Sequence, residues 1–249
     1  MKKMQRIVIK VGSSVLQEIL KNQHDYLLHI VDQISHLQKT GMEVVLVSSG
    51  AVNTGRSLLN HPEQNKQALA SIGQAKLMHV WSELFASKKL TIGQVLLTKN
   101  NFSDEERYNT QDTLRNLLKH KIIPVINEND TVATKKNSVG DNDNLAALVA
   151  NLINADTLIL LTDQEGFYTT DPRLDPNATL ISDLDNLDKE IFSQASGSLS
   201  AFGTGGMTTK IQAAQVALQS NIPTIIASST RKNVLIDLMQ GKKLGTFIH

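Results

Sequence analysis

Two clusters of carboxylate and carboxamide side chains stand close together in residues 122–144. The first cluster ends an apolar run and the second begins another. Together they comprise Asn127, Glu128, Asn129, Asp130, Asp141, Asn142, Asp143 and Asn144. The second run has the spacing of a helix with one buried face, so we expect the clusters at a strand's end and a helix's start. In open α/β sheets such places gather at the carboxyl ends of the strands, where small ligands bind.

A structural interpretation competes with this one. Asp and Asn are common in turns and at helix N-caps because their side chains bond nearby backbone N–H groups, so Asp141 or Asn142 taken alone is explained as a cap. Capping uses only one or two of the eight residues. The clustering therefore favours a binding site.

Two lysines adjoin glycine-containing turns. Lys10 lies near the end of an apolar run, before Gly12, and a second run ends in the small polar turn of residues 48–50. The segment GTGGMTTK, residues 203–210, leads into a predicted helix and ends in Lys210. Turns of this kind offer backbone N–H groups to an anion, and a helix N-terminus adds the positive end of its dipole.

The GTGGMTTK segment matches neither standard phosphate motif. The spacing of a P-loop is missing, no strand precedes the segment, and Thr208 occupies the place of the third glycine in the dinucleotide fingerprint. A plain flexible loop therefore remains an equal alternative for this segment considered alone.

The pair Lys10 and Lys210 suggests phosphoryl transfer. A single lysine at a strand end is usually a solvated surface charge, but two beside anion-binding turns favour a phosphate site. Phosphoryl transfer needs positioning and positive charge more than covalent chemistry from the protein. A lysine within about 4 Å of a phosphoryl oxygen contributes several kcal/mol at intermediate dielectric.

The sequence offers no obvious general base. Its seven histidines form no metal-binding pattern, and neither a serine elbow nor a kinase H-R-D motif occurs. A carboxylate acceptor would need no base because it is already deprotonated at neutral pH. Lysines and Mg²⁺ can relieve its repulsion from a triphosphate.

Predicted strands and helices alternate along the chain, which is typical of an α/β fold with a parallel sheet and helices on both faces. The predicted strands are residues 6–11, 44–47, 92–97, 122–126, 157–161 and 223–227, with short ones at 180–184 and 246–248. The predicted helices are residues 27–37, 64–85, 104–119, 144–154, 207–218 and 234–239. Residues 163–173 are predicted to be a turn-rich loop, and residues 196–206 a flexible one.

Length and composition limit the class of protein. The chain has 249 residues, enough for one large α/β domain or two joined lobes. Its 25 Lys and Arg nearly balance 24 Asp and Glu, so the net charge suggests neither a nucleic acid nor a membrane surface as a partner. The chain has no cysteine, and no apolar run reaches the length of a membrane helix. We expect a soluble, cytoplasmic protein.

Six segments together resemble the glutamate 5-kinases, a branch of the amino acid kinase family. They are IKVGSSVL (9–16), VSSGAV (47–52), PVINENDTV (124–132), VGDNDNLAA (139–147), LLTDQEGFYTTDPR (160–173) and GTGGMTTK (203–210). The fifth segment is similar to the wider family, which includes acetylglutamate, aspartate, carbamate and uridylate kinases. The resemblance covers essentially the whole chain in the expected order.

This resemblance implies a three-layer αβα sandwich with a mainly parallel central sheet. The glutamate-binding lobe would span about residues 1–154 and the ATP-binding lobe about residues 155–249. The implied reaction is ATP-dependent, Mg²⁺-assisted phosphorylation of the glutamate side-chain carboxylate to γ-glutamyl phosphate, the first intermediate of proline synthesis.

The resemblance also implies roles for individual residues. Lys10 and Lys210 would stabilise the transferred phosphoryl group, and Asp143 would orient both lysines. The implied glutamate site consists of Ser49, Gly50, Asp130 and Asn142. The implied ATP site consists of Lys10, Gly12, Thr162, Asp163, Thr204, Gly205, Gly206, Met207, Thr208, Thr209 and Lys210.

Further expectations follow from the same resemblance. Many members carry an additional C-terminal domain resembling RNA-modifying enzymes, whereas the sequence stops at His249, so expectations about assembly and feedback are weaker. A homo-oligomer (dimer or tetramer), feedback inhibition by proline and a mobile flap at residues 131–139 remain hypotheses. Two rivals stay open: a kinase for another carboxylate such as N-acetylglutamate, and a sensor that binds without turnover. The two lysines argue against the sensor.

Overall fold

A computed structural model of the chain describes residues 5–12, 25–59, 65–196 and 206–249. Within these residues, one large sheet runs through the molecule. Its strands are β1 (Arg6–Val11), β2 (Glu43–Val47), β3 (Ile92–Leu97), β4 (Ile123–Glu128), β5 (Thr157–Thr162), β8 (Asp183–Leu184), β9 (Thr224–Ser228) and β10 (Thr246–Ile248). Their order is β3-β4-β2-β1-β5-β9-β10-β8, and all neighbours are parallel except β9 and β10. Strands β6 (Phe167–Tyr168) and β7 (Leu180–Ile181) form a separate antiparallel pair.

Helices cover both faces of the sheet. They are α1 (Asp25–Lys39), α2 (Ala51–Leu58), α3 (Lys66–Ser87), α4 (Asp104–Lys119), α5 (Asn142–Ile153), α6 (Lys189–Ser196), α7 (Met207–Leu218) and α8 (Val234–Met239). One core joins α4, α5, α6 and α7 to the face that carries Val8 and Leu160, and the other joins α1, α3 and α8 to the face that carries Ile9 and Ile159. The predicted αβα sandwich with a mainly parallel sheet is confirmed.

The central strands read as apolar runs because both of their faces are covered. Every residue of β4 and β5 is buried, as is typical of parallel strands between two helical layers. The alternation of side chains along β1 places Lys10 on the same face as Val8. Lys10 therefore faces the layer that contains α5 and α7.

The sequence-based boundaries are close for the long elements and wrong for several short ones. Helix α2 and helix α6 were not predicted. Phe167–Tyr168, expected in a loop, pairs with Leu180–Ile181, and the single edge strand predicted at 180–184 is two strands in different sheets. These elements are too short to show a period, so tertiary pairing decides them.

The carboxyl edge of the sheet is where the elements that matter for chemistry converge. Strands β1, β2, β4 and β5 are parallel and end there. Helices α2, α5 and α7 begin directly after Gly50, Asp141 and Gly206. Gly50 has φ 92° and ψ 7°, a left-handed conformation that glycine adopts without the Cβ penalty of other residues.

The contact between α2 and α3 fixes the turn at Gly50. A Cβ atom on Gly55 would lie 1.9 Å from the carbonyl oxygen of Leu69, and one on Gly73 would lie 1.8 Å from that of Ala51. These backbones approach closely only because both positions are glycine. The start of α2 is therefore held against α3.

No helix in the described part of the chain is long and apolar enough to cross a membrane.

Candidate active site

One buried carboxylate joins the two predicted lysines. Asp143 Oδ1 lies 2.7 Å from Lys10 Nζ, and Asp143 Oδ2 lies 3.1 Å from Lys210 Nζ. Asp143 is fully buried, and each lysine is about 5% exposed. The structure thus brings together the three residues predicted to be catalytic, which come from β1 and from the first turns of α5 and α7.

The charges in this cluster do not balance. Burial disfavours the charged form of Asp143 and would raise its pKa, but the two ammonium groups and the Thr209 hydroxyl hold that pKa well below its usual range. Burial, together with the neighbouring Lys210, lowers the pKa of Lys10 against the opposing effect of Asp143. With both lysines protonated the cluster carries one excess positive charge, which suits an incoming phosphoryl anion.

Thr209 belongs to the same cluster. Its Oγ1 lies 2.8 Å from Asp143 Oδ2 and 2.8 Å from the carbonyl oxygen of Gly206, and these two acceptors share its single hydroxyl hydrogen. The sequence placed Thr209 with the ATP-binding residues, and the structure adds a contact that orients Asp143. Met207, Thr208 and Thr209 form the first turn of α7, where no side chain of the described residues caps the N-terminus. Thr204 and Gly205 lie outside the described residues, as does most of the loop predicted at 196–206.

A neutral amide network lies beside the ionic cluster. Asn142 Nδ2 donates to Ser49 Oγ at 2.7 Å and to Asn127 Oδ1 at 3.0 Å. Asn127 Nδ2 in turn donates to Gln74 Oε1 at 2.8 Å. The network runs from α3 on one face of the sheet, through the end of β4, to α5 on the other face.

The structure separates capping from binding in the second polar cluster. Asp141 is the N-cap of α5, since its Oδ1 accepts from the backbone N–H of Asn144 at 2.9 Å and its Oδ2 from the Asn144 side chain at 2.7 Å. Asn142 and Asp143 are not used as caps. Their side chains face the amide network and the lysines, respectively.

The first polar cluster contains two further carboxylates. Glu128, the last residue of β4, accepts at Oε1 from Ser138 Oγ at 2.8 Å and from the backbone N–H of Val139 at 2.6 Å. Partial burial and the charge of Glu128 raise the pKa of Asp130 to about 6. A cation beside Asp130 would favour its ionised form.

The remaining predicted nucleotide residues lie at the same edge. Thr162 ends β5, is buried, and donates from Oγ1 to Asp163 Oδ1 at 3.1 Å. Its carbonyl oxygen accepts from the backbone N–H of Ser229 at 2.7 Å. Gly12 directly follows β1 and is buried. In the described ranges no group of three or more His, Asp or Glu side chains could hold a metal ion.

Sequence reasoning missed Gln74 and did not assign a role to Asn127. Asn127 stands within the quoted PVINENDTV segment, so its position was visible. Gln74 had no local signal, because its partner is 53 positions away and its helix shows mainly a core-packing pattern.

Comparison with known sequences identifies one family. The model of the amino acid kinase family matches residues 5–228. Glutamate 5-kinase of Pasteurella multocida is 49% identical over 247 residues, which cover 96% of this chain and 67% of that protein. Glutamate 5-kinase of Aliivibrio salmonicida is 47% identical over 97% of this chain and 68% of its own length.

Comparison with solved structures identifies the same fold. Isopentenyl phosphate kinase of T. acidophilum superposes with a TM-score of 0.68 at 17% identity, covering 98% of this chain and 100% of that one. Carbamate kinase from Giardia lamblia, bound to AMP-PNP, gives a TM-score of 0.66 at 16% identity, with 99% and 98% covered.

Proposed function

The chain belongs to the amino acid kinase family, and we propose that it transfers the γ-phosphoryl group of ATP to the side-chain carboxylate of L-glutamate, the first step of proline biosynthesis. The observation that carries this proposal is the Lys10–Asp143–Lys210 cluster, with Asn142 one residue away. The first turn of α5 thus contributes Asp143 to a cationic site for phosphoryl transfer and Asn142 to a neutral site for substrate recognition.

The transfer step needs no base. An oxygen of the glutamate side-chain carboxylate attacks the γ-phosphorus, and a new O–P bond forms. The bond from phosphorus to the bridging oxygen breaks, and its electron pair stays on ADP. Lys10 and Lys210 stabilise the negative charge that spreads over the transferred group. Asp143 holds both ammonium groups in place and keeps them apart.

The amide network and Asp130 support glutamate as the acceptor. Asp130 would pair with the α-ammonium group, whose positive charge would offset the repulsion from Glu128. Ser49 Oγ and the backbone N–H of Gly50 would bind the carboxylates, and Asn142 Oδ1 would accept from the α-ammonium group. N-acetylglutamate has no ammonium group, so it would leave the Asp130 carboxylate partly buried and unpaired.

ATP would be bound on the other side of the lysine cluster. Gly12, Thr162, Asp163 and the segment of residues 204–210 would hold it. The N-terminus of α7, which no described side chain caps, offers N–H groups and a positive dipole end to the phosphates. The division into a glutamate lobe at residues 1–154 and an ATP lobe at 155–249 is part of this proposal, although one sheet runs through both.

Mg²⁺ would enter as the ATP complex. Mg²⁺ keeps several waters and commonly binds through substrate phosphates with one or two carboxylates, so it needs no protein cage. Asp163, which directly follows β5, is the carboxylate we assign to it. When bound, the ion would neutralise phosphate charge that the lysines do not reach.

Glutamate-dependent ADP formation tests the proposal. Hydroxylamine would trap the acyl phosphate as a hydroxamate, and a parallel reaction with N-acetylglutamate would supply the control. We expect the hydroxamate with glutamate and a much lower rate with the acetylated substrate. A preference for N-acetylglutamate would assign the chain to a sister kinase, and binding of both substrates without ADP release would indicate a sensor.

Regulation, assembly and location complete the proposal. Proline would compete at the glutamate site, so millimolar proline should raise the apparent KM for glutamate; an unchanged glutamate dependence would reject this. We propose a homo-oligomer, dimer or tetramer, which light scattering would measure directly. We also propose a cytoplasmic location for the enzyme.

A further inference from the structure

We infer that Gln74 is a positioning residue for the glutamate substrate, acting through Asn127 on Asn142 and Ser49. The inference rests on the proposed function, because it concerns the substrate side of the same site. Gln74 lies on α3, which covers the opposite face of the sheet from α5. Its side chain nevertheless reaches the end of β4, where Asn127 connects the two layers.

One backbone N–H group determines which atom donates and which accepts in every hydrogen bond of the amide network. The N–H of Glu128 donates to Asn127 Oδ1 at 2.9 Å. A backbone N–H cannot accept, so that atom of Asn127 must be its oxygen. Asn127 Nδ2 then points to Gln74, which must present its own oxygen, Oε1. The orientation of the Asn127 and Gln74 side-chain amides therefore follows from the backbone N–H of Glu128 alone.

The oxygen of Asn127 also determines which hydrogen-bonding groups of Asn142 and Ser49 remain for a ligand. Asn127 Oδ1 also accepts from Asn142 Nδ2, so Asn142 must turn its NH₂ group inward. The second hydrogen of that group goes to Ser49 Oγ. Among the described residues Ser49 Oγ only accepts, so its hydroxyl hydrogen remains for another acceptor. Asn142 Oδ1 is left buried without a hydrogen-bond partner among the described residues.

These two remaining groups match an amino acid that carries both kinds of charge. A hydroxyl hydrogen suits a carboxylate, and a carbonyl oxygen suits an ammonium group. Gln74 makes this arrangement at a cost, because its own Nε2 is buried without a partner in the described part of the chain. An unpartnered buried donor is unfavourable. Its presence is consistent with selection for the direction of the hydrogen bonds in the amide network.

The contacts of α3 explain why Gln74 is placed accurately. Gly73 packs against the backbone of Ala51 in α2, which fixes the depth of the neighbouring Gln74. One turn earlier, Ser71 Oγ lies 3.3 Å from Thr131 Oγ1, so the same helix also touches the segment after β4. Gln74 therefore links the helix contact to the glutamate site.

The test replaces Gln74 with methionine, which has a similar length and no acceptor oxygen. We expect Gln74→Met to raise the KM for glutamate about tenfold, as for one lost hydrogen bond, with the KM for ATP and kcat nearly unchanged. Gln33→Met is the matched control. Gln33 is a similarly buried glutamine on α1 that accepts from Leu235 N at 2.8 Å and donates to the His29 carbonyl rather than to the amide network, and its loss should leave both KM values unchanged.

A double mutant separates positioning from general destabilisation. If Gln74 acts through Asn142, Gln74→Met in an Asn142→Ala background should raise the glutamate KM no further than Asn142→Ala alone. Independent, multiplying effects would overturn the inference, as would an unchanged glutamate KM in a folded Gln74→Met enzyme. Thermal unfolding of each variant verifies folding. If the wild-type enzyme does not phosphorylate glutamate, the proposed function itself fails, and this outcome is distinct from the others.

Discussion

Two polar networks meet at the start of α5, and they are built on opposite principles. Asp143 belongs to an ionic cluster in which one carboxylate serves two buried lysines. Its neighbour Asn142 belongs to a chain of neutral amides. The ionic cluster carries its charges before any ligand binds. In the amide network, the direction of the hydrogen bonds determines which donor and acceptor groups remain for a ligand. Loss of an ionic member should therefore affect stability and turnover, and loss of an amide should affect recognition.

The substitution with the largest expected effect on stability and activity is that of Asp143. Asp143→Asn would leave two buried ammonium groups without their carboxylate, which should cost about 3 kcal/mol of folding free energy or more and nearly abolish activity. Urea unfolding and the hydroxamate assay measure the two effects. Asp183→Asn, which alters an exposed pair with His249, serves as the control and should be nearly neutral. If Asp143→Asn were as stable as the wild type, the two networks would not differ as proposed.

Next in size is the loss of one lysine. Lys210→Ala keeps the Lys10–Asp143 pair and should lower kcat by about 10²- to 10³-fold, as for a lost transition-state donor. Glutamate binding should change little. The control is Lys242→Ala, an exposed lysine paired with Asp237. Near-normal turnover by Lys210→Ala would contradict its assigned role.

A recognition carboxylate should give the opposite kinetic signature. Asp130→Ala should raise the KM for glutamate by about 10- to 100-fold through the lost charge-assisted contact, and change the KM for ATP far less. Asp185→Ala, at an exposed position, is the matched control. An unchanged glutamate KM would remove Asp130 from the substrate site.

The smallest predicted effect is one of pH. Burial and Glu128 raise the pKa of Asp130 to about 6, so the free enzyme takes up a proton there as the pH falls from 7.5 to 5.5. An ammonium ligand requires the ionised form, so the KM for glutamate should be flat above pH 7 and rise severalfold by pH 5.5. Asp130→Asn should remove this dependence, and an identical profile in that variant would assign the proton to another group.

The long elements of the fold were predictable because their patterns are local. Helix α4 and strand β3 have the predicted boundaries, since periodicity and turn residues define both. The short helices α2 and α6 and the paired strands near Phe167 were not predicted. Their stability depends on packing against distant residues rather than on their own sequences.

The candidate site divides in the same way. Lys10, Asp143 and Lys210 were identified through the resemblance and by their adjacent turns, and the structure brings them into contact. The role of Asp141 as a cap could not be separated from binding by sequence, because both use the same residue types. Gln74 could not be found at all, since its significance arises only from a contact across the sheet.

The glycine contact between α2 and α3 limits how this enzyme can vary. The spacing of most helix pairs is set by side chains, so a larger residue at one position can be offset by a smaller one opposite. At Gly55 and Gly73 the opposing atoms are backbone carbonyl groups, which no side-chain substitution can make smaller. Variation in substrate preference is therefore expected to come from exchanging polar side chains such as Gln74 or Asn127, rather than from changing the distance between α2 and α3.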